Sequence, residues 1–260
     1  MKILVIGSGR MANALSPALM RAGHHIIGVS SRNQTTGRSL SKYIGCDFFP
    51  ISKKLPDVDL ILIAVNDDAT KEIAKQLGKS KAILAHTSGS VALSDLIRKR
   101  KAGVFYPLET LTGKRNTSFK KIPICIEATD EKSLQQLLSV AKSISDEVYV
   151  MDSLSRLALH SAAVFTNNFT NHLLGVADEI AQTNGFPFEI LHKLAVTTIR
   201  NAFAEKPRAV QTGPAKRNDQ KTIRKHLAFL KNNPAAKKLY ATLSESITAV
   251  HNKPVSKRRH

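Results

Sequence analysis

Short apolar runs alternate with segments of helical period through the first half of the chain, and after Asp152 the alternation stops. The apolar runs place strands at 2–7 (KILVIG), 25–30 (HIIGVS), 59–65 (DLILIAV), 82–86 (AILAH), 103–107 (GVFYP), 122–128 (IPICIEA) and 147–152 (EVYVMD). An unbroken run such as LILIAV suits a strand buried on both faces, as in a parallel sheet covered by helices. Helical periodicity falls between these runs, near 10–22, 35–44, 68–77, 91–99 and 131–144. This alternation predicts a doubly wound α/β Rossmann domain with a mostly parallel sheet. Beyond Asp152 the pattern is helical throughout, near 154–184, 188–204, 219–232 and 235–251, with breaks at 184-NGFP-187, 206-KPRAVQTGPAKRN-218 and Pro234. The expected organisation is an α/β domain over 1–152 and an all-α domain over 153–260, with no internal repeat or low-complexity tract.

The first strand runs into 7-GSGRMA-12, a Gly-x-Gly-x-x-Ala pattern between a strand and a helix. Gly7 permits the tight turn, Gly9 lets the backbone approach a pyrophosphate, and Ala12 allows close helix–strand packing. The pyrophosphate would rest on free N–H groups of the helix start, with Ser8, Arg10 and Met11 around it. The alternative is a glycine turn in an α/β fold that has lost its ligand. The second strand ends in 30-SSRN-33, where NAD-preferring domains carry an acidic residue for the ribose hydroxyls. Ser31 and Arg32 instead offer a hydroxyl and a guanidinium, suited to a 2′-phosphate, with Arg10 as a second cation. The coenzyme expected is therefore NADP(H) rather than NAD(H), unless Arg32 is only a solvated loop residue.

Two more strand ends border the same crevice. In 64-AVND-67, Val65 and Asn66 fall where a nucleotide would lie, while Asp67 or Asp68 suits a helix cap. In 86-HTSGS-90, His86, Ser88 and Gly89 would sit near the nicotinamide. Ser88 and Gly89 are placed to bind a substrate carbonyl or carboxylate, while Ser90 suits the cap of helix 91–99. The stretch 160-HSAAVFTNNFTNH-172 reads as helix, yet it sets two histidines and three asparagines among apolar residues. At about 100° per residue, His160, Asn167 and Asn171 form one narrow polar stripe, with Asn168 and His172 about 80° and 120° away. A polar, uncharged stripe suits a helix lining a semi-enclosed cleft at the carboxyl edge of the sheet. There His160 would be the general acid or base, and Asn167 or Asn171 would orient a carbonyl. Arg156, one turn earlier, would bind an anionic substrate group or hold the domains together. Buried asparagines that bridge helices, with His160 in the core, are the bland alternative. Tyr106 is a further proton donor, or structural.

GSGRMA, HTSGS, 105-FYPLET-110, 156-RLALHSAAVFTNNFTNH-172 and 211-QTGPAKRND-219 together resemble a superfamily of NADP oxidoreductases with an N-terminal Rossmann domain and a helical C-terminal domain of the 6-phosphogluconate dehydrogenase type. It includes pyrroline-5-carboxylate reductase, β-hydroxyacid dehydrogenases and deazaflavin-dependent NADP reductases. The chain is most similar to a branch whose C-terminal half is a domain of unknown function. The resemblance implies NADP binding and a homodimer built through the helical domains, in which Gln211, Thr212 and Gly213 would close over the partner's cleft. It also exposes a departure. β-Hydroxyacid dehydrogenases carry a catalytic lysine one turn before a pair of asparagines, and when that pair is set on Asn167 and Asn168 the lysine position holds Val164. That mechanism does not carry over whole.

Composition narrows the remaining choices. Hydrophobic residues make up 42% and charged residues 23%, ordinary for a globular protein. The opening MKILVIGSG is too short for a signal peptide and no apolar run reaches the roughly 18 residues of a membrane span, so a cytoplasmic, membrane-free protein is expected. Cys46 and Cys125 stand alone, so neither a disulfide framework nor a metal site is indicated. The net charge of +19 raises nucleic acid as a partner, but aromatic residues are 5% and no basic stretch interleaves them, so a basic surface drawing small anions fits better. Three functions stand: an NADP(H)-dependent oxidoreductase for a small carbonyl, imine or hydroxyacid, a non-catalytic NADP-binding sensor or scaffold, and a nucleic-acid-associated protein.

Overall fold

The computed structural model describes residues 1–51, 56–77, 80–96 and 101–251, which fall into two units, Met1–Phe169 and Thr170–His260. In the first, β1 (Lys2–Ile6), β2 (His25–Ser30), β3 (Asp47–Phe49), β4 (Leu60–Ile63), β5 (Ile83–His86), β6 (Ala102–Pro107), β7 (Ile124–Ala128) and β8 (Val148–Val150) form an 8-stranded sheet of order β3-β2-β1-β4-β5-β6-β7-β8. Neighbouring strands are parallel except β6 and β7, which are antiparallel. The helices are α1 (Arg10–Arg21), α2 (Gln34–Ile44), α3 (Asp67–Gln76), α4 (Glu131–Lys142) and α5 (Ser153–Ala163). A π-helical segment, Val164–Phe169, continues α5 to the end of the unit.

The apolar runs are strands because both faces of the sheet are covered. Along β4, Leu60 and Leu62 join the core that contains Leu15 and Leu19 of α1 and Leu137 of α4. Ile61 and Ile63 join the opposite core, with Ile73 of α3. Strand order reverses between β1 and β4, so their carboxyl ends open a crevice at the switch point, where ligands of such sheets bind. The long connection between β6 and β7 is pinned across α1 and α2. Arg115 donates to Asn13 Oδ1 (3.0 Å) and Ser39 Oγ (3.2 Å), and Arg21 donates to the carbonyls of Arg115 (3.0 Å) and Thr117 (3.1 Å).

The second unit holds α6 (Thr170–Thr183), a 3₁₀ turn at Phe188–Leu191, α7 (His192–Ala204), α8 (Gln220–Phe229), a 3₁₀ turn at Leu230–Asn232 and α9 (Pro234–His251). The start of α8 is capped by Asp219, which accepts the Thr222 N–H at 3.0 Å. Few of the unit's apolar side chains are covered. Ala181, Ala215, Ile223, Leu230 and Ala236 are its buried hydrophobics among the described residues, α7 buries none, and Leu194 and Phe203 are 66% and 79% exposed. No helix among the described residues is long and apolar enough to cross a membrane.

Two elements differ from the sequence reading. β3 carries no sequence signal of its own, being three residues stopped by Pro50 and paired only with β2. The helix expected at 91–99 is a single 3₁₀ turn, Leu93–Asp95, because Ala92 is extended; residues 97–100 lie outside the described part. Compactness and element type also change at different points: strands end at Val150, whereas the two units divide after Phe169.

Candidate functional site

Gly7 turns the chain at φ +123°, and a Cβ there would lie 2.2 Å from the Ala64 carbonyl oxygen. Only glycine lets the end of β1 pass so close to the end of β4. Gly9 is different, since a Cβ on it would meet nothing within 4 Å. Gly9 is the cap residue of α1 and no side chain bonds the helix's first N–H groups. Those donors and the positive helix end make an anion receptor beside the glycine turn. A cleft of about 430 Å³ opens here, and Gly7, Ser8, Gly9, Arg10, Met11, Ser31, Arg32, Val65 and Asn66 all line it. Ser8 Oγ lies 2.8 Å from Ser31 Oγ and 2.7 Å from Thr36 Oγ1, a hydroxyl chain between the glycine turn and α2. Arg10 and Arg32 are exposed, and among the described residues neither has an ion-pair partner. The cleft therefore offers a pyrophosphate receptor at one end and a carboxylate-free cationic corner at the other, which fits a phosphorylated dinucleotide.

A second cavity, about 730 Å³, lies against α5 and the π-helical segment. The Tyr106 hydroxyl, at the end of β6, is 2.9 Å from His160 Nδ1, with the rings edge-to-face at 5.8 Å. Burial pushes the Tyr106 phenol up to about 12, so it stays protonated at neutral pH. Gly89 makes the pair possible, because a Cβ on it would stand 2.6 Å from His160 Nδ1 and 2.8 Å from Tyr106 Cζ. Asn167 donates to the Thr110 hydroxyl, tying the π-helical segment to the β6–β7 connection. His160, Asn167 and Asn168 all line the cavity. The straight-helix count set Asn168 well round from His160; the i→i+5 turns of the π segment shift the register and admit it. Asn171 lies beyond that segment, exposed on α6 in the second unit, and does not line this cavity.

The structure favours one of the two roles read for Arg156 and differs from the sequence reading in three others. Arg156 is 1% exposed and its guanidinium is committed to the Glu127 carboxylate, the Val91 carbonyl (2.6 Å) and Ser153 Oγ (3.3 Å), so it anchors α5 to β7, in line with the holding role rather than anion binding. Ser88 Oγ accepts the N–H groups of Ser90 (3.1 Å) and Val91 (3.0 Å), a turn cap that lines neither cavity. His86 is fully buried, and its Nδ1 accepts the Ser88 N–H at 3.1 Å. Burial, followed by the nearby Arg156 charge, lowers its pKa to about 4, so it is neutral and structural. Ser90 and Asp67 do not cap helices: the Ser90 hydroxyl donates to the Asp67 carboxylate instead. Sequence reasoning missed Glu109 and Thr110, although both belong to the FYPLET motif it singled out. The same connection reaches the first cleft, where a Cβ on Gly113 would sit 3.3 Å from Arg10 Cα.

Comparison with protein families matches residues 2–87 to the family described as NADP oxidoreductase coenzyme F420-dependent. Residues 122–247 match a domain of unknown function, DUF2520. No curated protein sequence matches the chain. Among solved structures, a candidate NADP oxidoreductase from Bacteroides fragilis is 35% identical, with 95% of this chain and 97% of that one covered and a TM-score of 0.87. A protein from Thermotoga maritima is 21% identical over 96% of this chain and all of the other (100%), with a TM-score of 0.78. An imine reductase from Myxococcus stipitatus in complex with NADP+ is 14% identical over 97% and 93%, with a TM-score of 0.63. These last two show a likeness of fold alone.

Proposed function

Since the chain belongs to the NADP oxidoreductase family that joins a domain of the coenzyme F420-dependent type to a DUF2520 domain, we propose that it moves a hydride between NADP(H) and a small carbonyl, imine or hydroxyacid. The observation that carries this reading is the single cleft that gathers the glycine turn, the uncapped start of α1 and the ends of β2 and β4. In it the pyrophosphate rests on the N–H groups after Gly9, and Arg32 and Arg10 hold the 2′-phosphate. Val65 and Asn66 border the path toward the nicotinamide. Bound coenzyme supplies or accepts the hydride, and the protein supplies orientation and a proton. His160 exchanges that proton with the substrate, backed by the phenol of Tyr106 at 2.9 Å, and Asn167 orients the reacting group. By role, 1–152 is the coenzyme-binding part and 153–260 the substrate and dimerisation part. A homodimer through the helical part is supported by its exposed Leu194, Val196, Ile199 and Phe203.

The experiment is a titration of purified protein with NADPH and NADH, followed at 340 nm over a panel of oxoacids, aldehydes and imines. Tighter binding of NADPH together with turnover on one class supports the reading, and silence from both coenzymes sinks it. Val164 at the position of the relatives' lysine favours a second reading, a non-catalytic NADP-binding sensor; binding without turnover on any class would favour it.

A further inference from the structure

The cavity beside His160 has an uneven set of charges. Basic residues outnumber acidic ones 39 to 20 in the chain, yet among the described residues lining this cavity there is no lysine or arginine. Apart from His160 and Tyr106, its one ionisable side chain is Glu109. The guanidinium that the sequence offered for a substrate carboxylate, Arg156, is buried and neutralised by Glu127. Glu109 is exposed, and its Oε1 accepts the Thr110 N–H at 2.7 Å, which fixes the carboxylate at the start of the β6–β7 connection. Lys120 and Lys121 line an adjoining cavity that shares Glu109, but among the described residues neither forms an ion pair with it.

The neutral groups add no charge of their own. Asn167 gives one of its two amide N–H groups to Thr110 and keeps its carbonyl oxygen as an acceptor. The rest of the wall is apolar, with Leu108, Leu159, Ala163 and Val164, apart from the uncharged Thr166 and Asn168. Acceptors, an aromatic phenol and one carboxylate over an apolar floor suit an N–H-bearing cation. A substrate carboxylate would meet Glu109 with no lysine or arginine in this cavity's own lining to offset it, and repulsion of this kind also discriminates.

We propose that this cavity selects a cationic nitrogen substrate, an amine or the corresponding iminium, over counterparts that carry a carboxylate. The proposal rests on the oxidoreductase reading and narrows its substrate class. On an iminium, hydride from NADPH adds to carbon, the C=N π pair becomes the nitrogen lone pair, and NADP+ and a neutral amine result. The reverse reaction returns the hydride to NADP+ and the amine to the iminium. No proton has to reach nitrogen for the hydride to add; the neutral product amine then takes up a proton from water, which the Tyr106–His160 pair can relay.

The test is calorimetric titration with piperidine and with pipecolate, the same ring carrying a carboxylate, on protein with and without NADP+. The expected result is a preference for piperidine of about fivefold or more, abolished by Glu109→Gln. Equal or tighter binding of pipecolate, a preference untouched by Glu109→Gln, or no binding of either ring overturns the proposal. Heat from NADP+ is read in the same samples, so failure of coenzyme binding is seen separately from failure of the charge preference, which the coenzyme-free arm still decides.

Discussion

A methyl group added at Gly7 would fall 2.2 Å from the Ala64 carbonyl oxygen in a backbone at φ +123°, whereas one added at Gly9 meets nothing within 4 Å. Gly7→Ala is therefore expected to cost roughly 2 kcal/mol or more of stability, because neither backbone segment can give way. Gly9→Ala should leave stability within about 0.5 kcal/mol and, if the proposed pyrophosphate site is right, weaken NADPH binding. Denaturant melts and coenzyme titrations of the two variants separate these outcomes. Arg32→Asp should weaken NADPH by about tenfold or more while sparing NADH, and an unchanged ratio of the two affinities would remove Arg32 from the 2′-phosphate. His86 makes a pH prediction. Its pKa falls from 6.5 to about 4 on folding, so the unfolded chain takes up the proton first as pH drops. The stability it contributes is complete above pH 6.5 and is lost as pH falls toward 4, by up to roughly 3 kcal/mol. Asn in its place keeps an acceptor for the Ser88 N–H and cannot titrate. Melts of wild type and His86→Asn should therefore converge as pH drops through that window.

α5 is held to the sheet through Glu127 of β7, which pairs with Arg156 and accepts the Ser153 N–H (3.1 Å) and hydroxyl (2.8 Å). Arg156→Met leaves the Glu127 carboxylate unpaired and should cost about 3–5 kcal/mol, part of which returns when Glu127→Leu is added. A chemical-denaturation cycle measures both. That arginine also shows where reading by element stops. Periodicity placed it one turn before His160 on the same side, but only the sheet's far strands could reveal that β7 offers it a carboxylate. Elements specified by their own residues were legible: β1, the glycine turn and the nine cleft residues lie within short, local motifs. Elements defined by neighbours were not. β3 exists because β2 offers an edge, and the π-helical segment has no compositional mark, so the stripe computed for a straight helix misplaced Asn168. Tyr106 and His160 are 54 residues apart in sequence, and nothing short of the fold joins them.

At the scale of the molecule, the two units bury apolar surface very unequally. β4 and β5 are buried throughout, while α7 carries Leu194, Val196, Ile199 and Phe203 with 66%, 52%, 46% and 79% of each exposed. A helix apolar on more than one side is normally enclosed by others. Ultracentrifugation is expected to give twice the 28.4 kDa chain mass, and Phe203→Asp to shift it toward the monomer with the α/β unit still folded by circular dichroism. A monomeric wild type would refute the homodimer. The join between the units has its own consequence. The backbone is helical at every residue from Ser153 to Thr183, on both sides of the division after Phe169. Proteases grip extended chain, and this seam presents none, so digestion should nick the turn-rich 205–219 stretch first and leave a fragment in which the seam is intact.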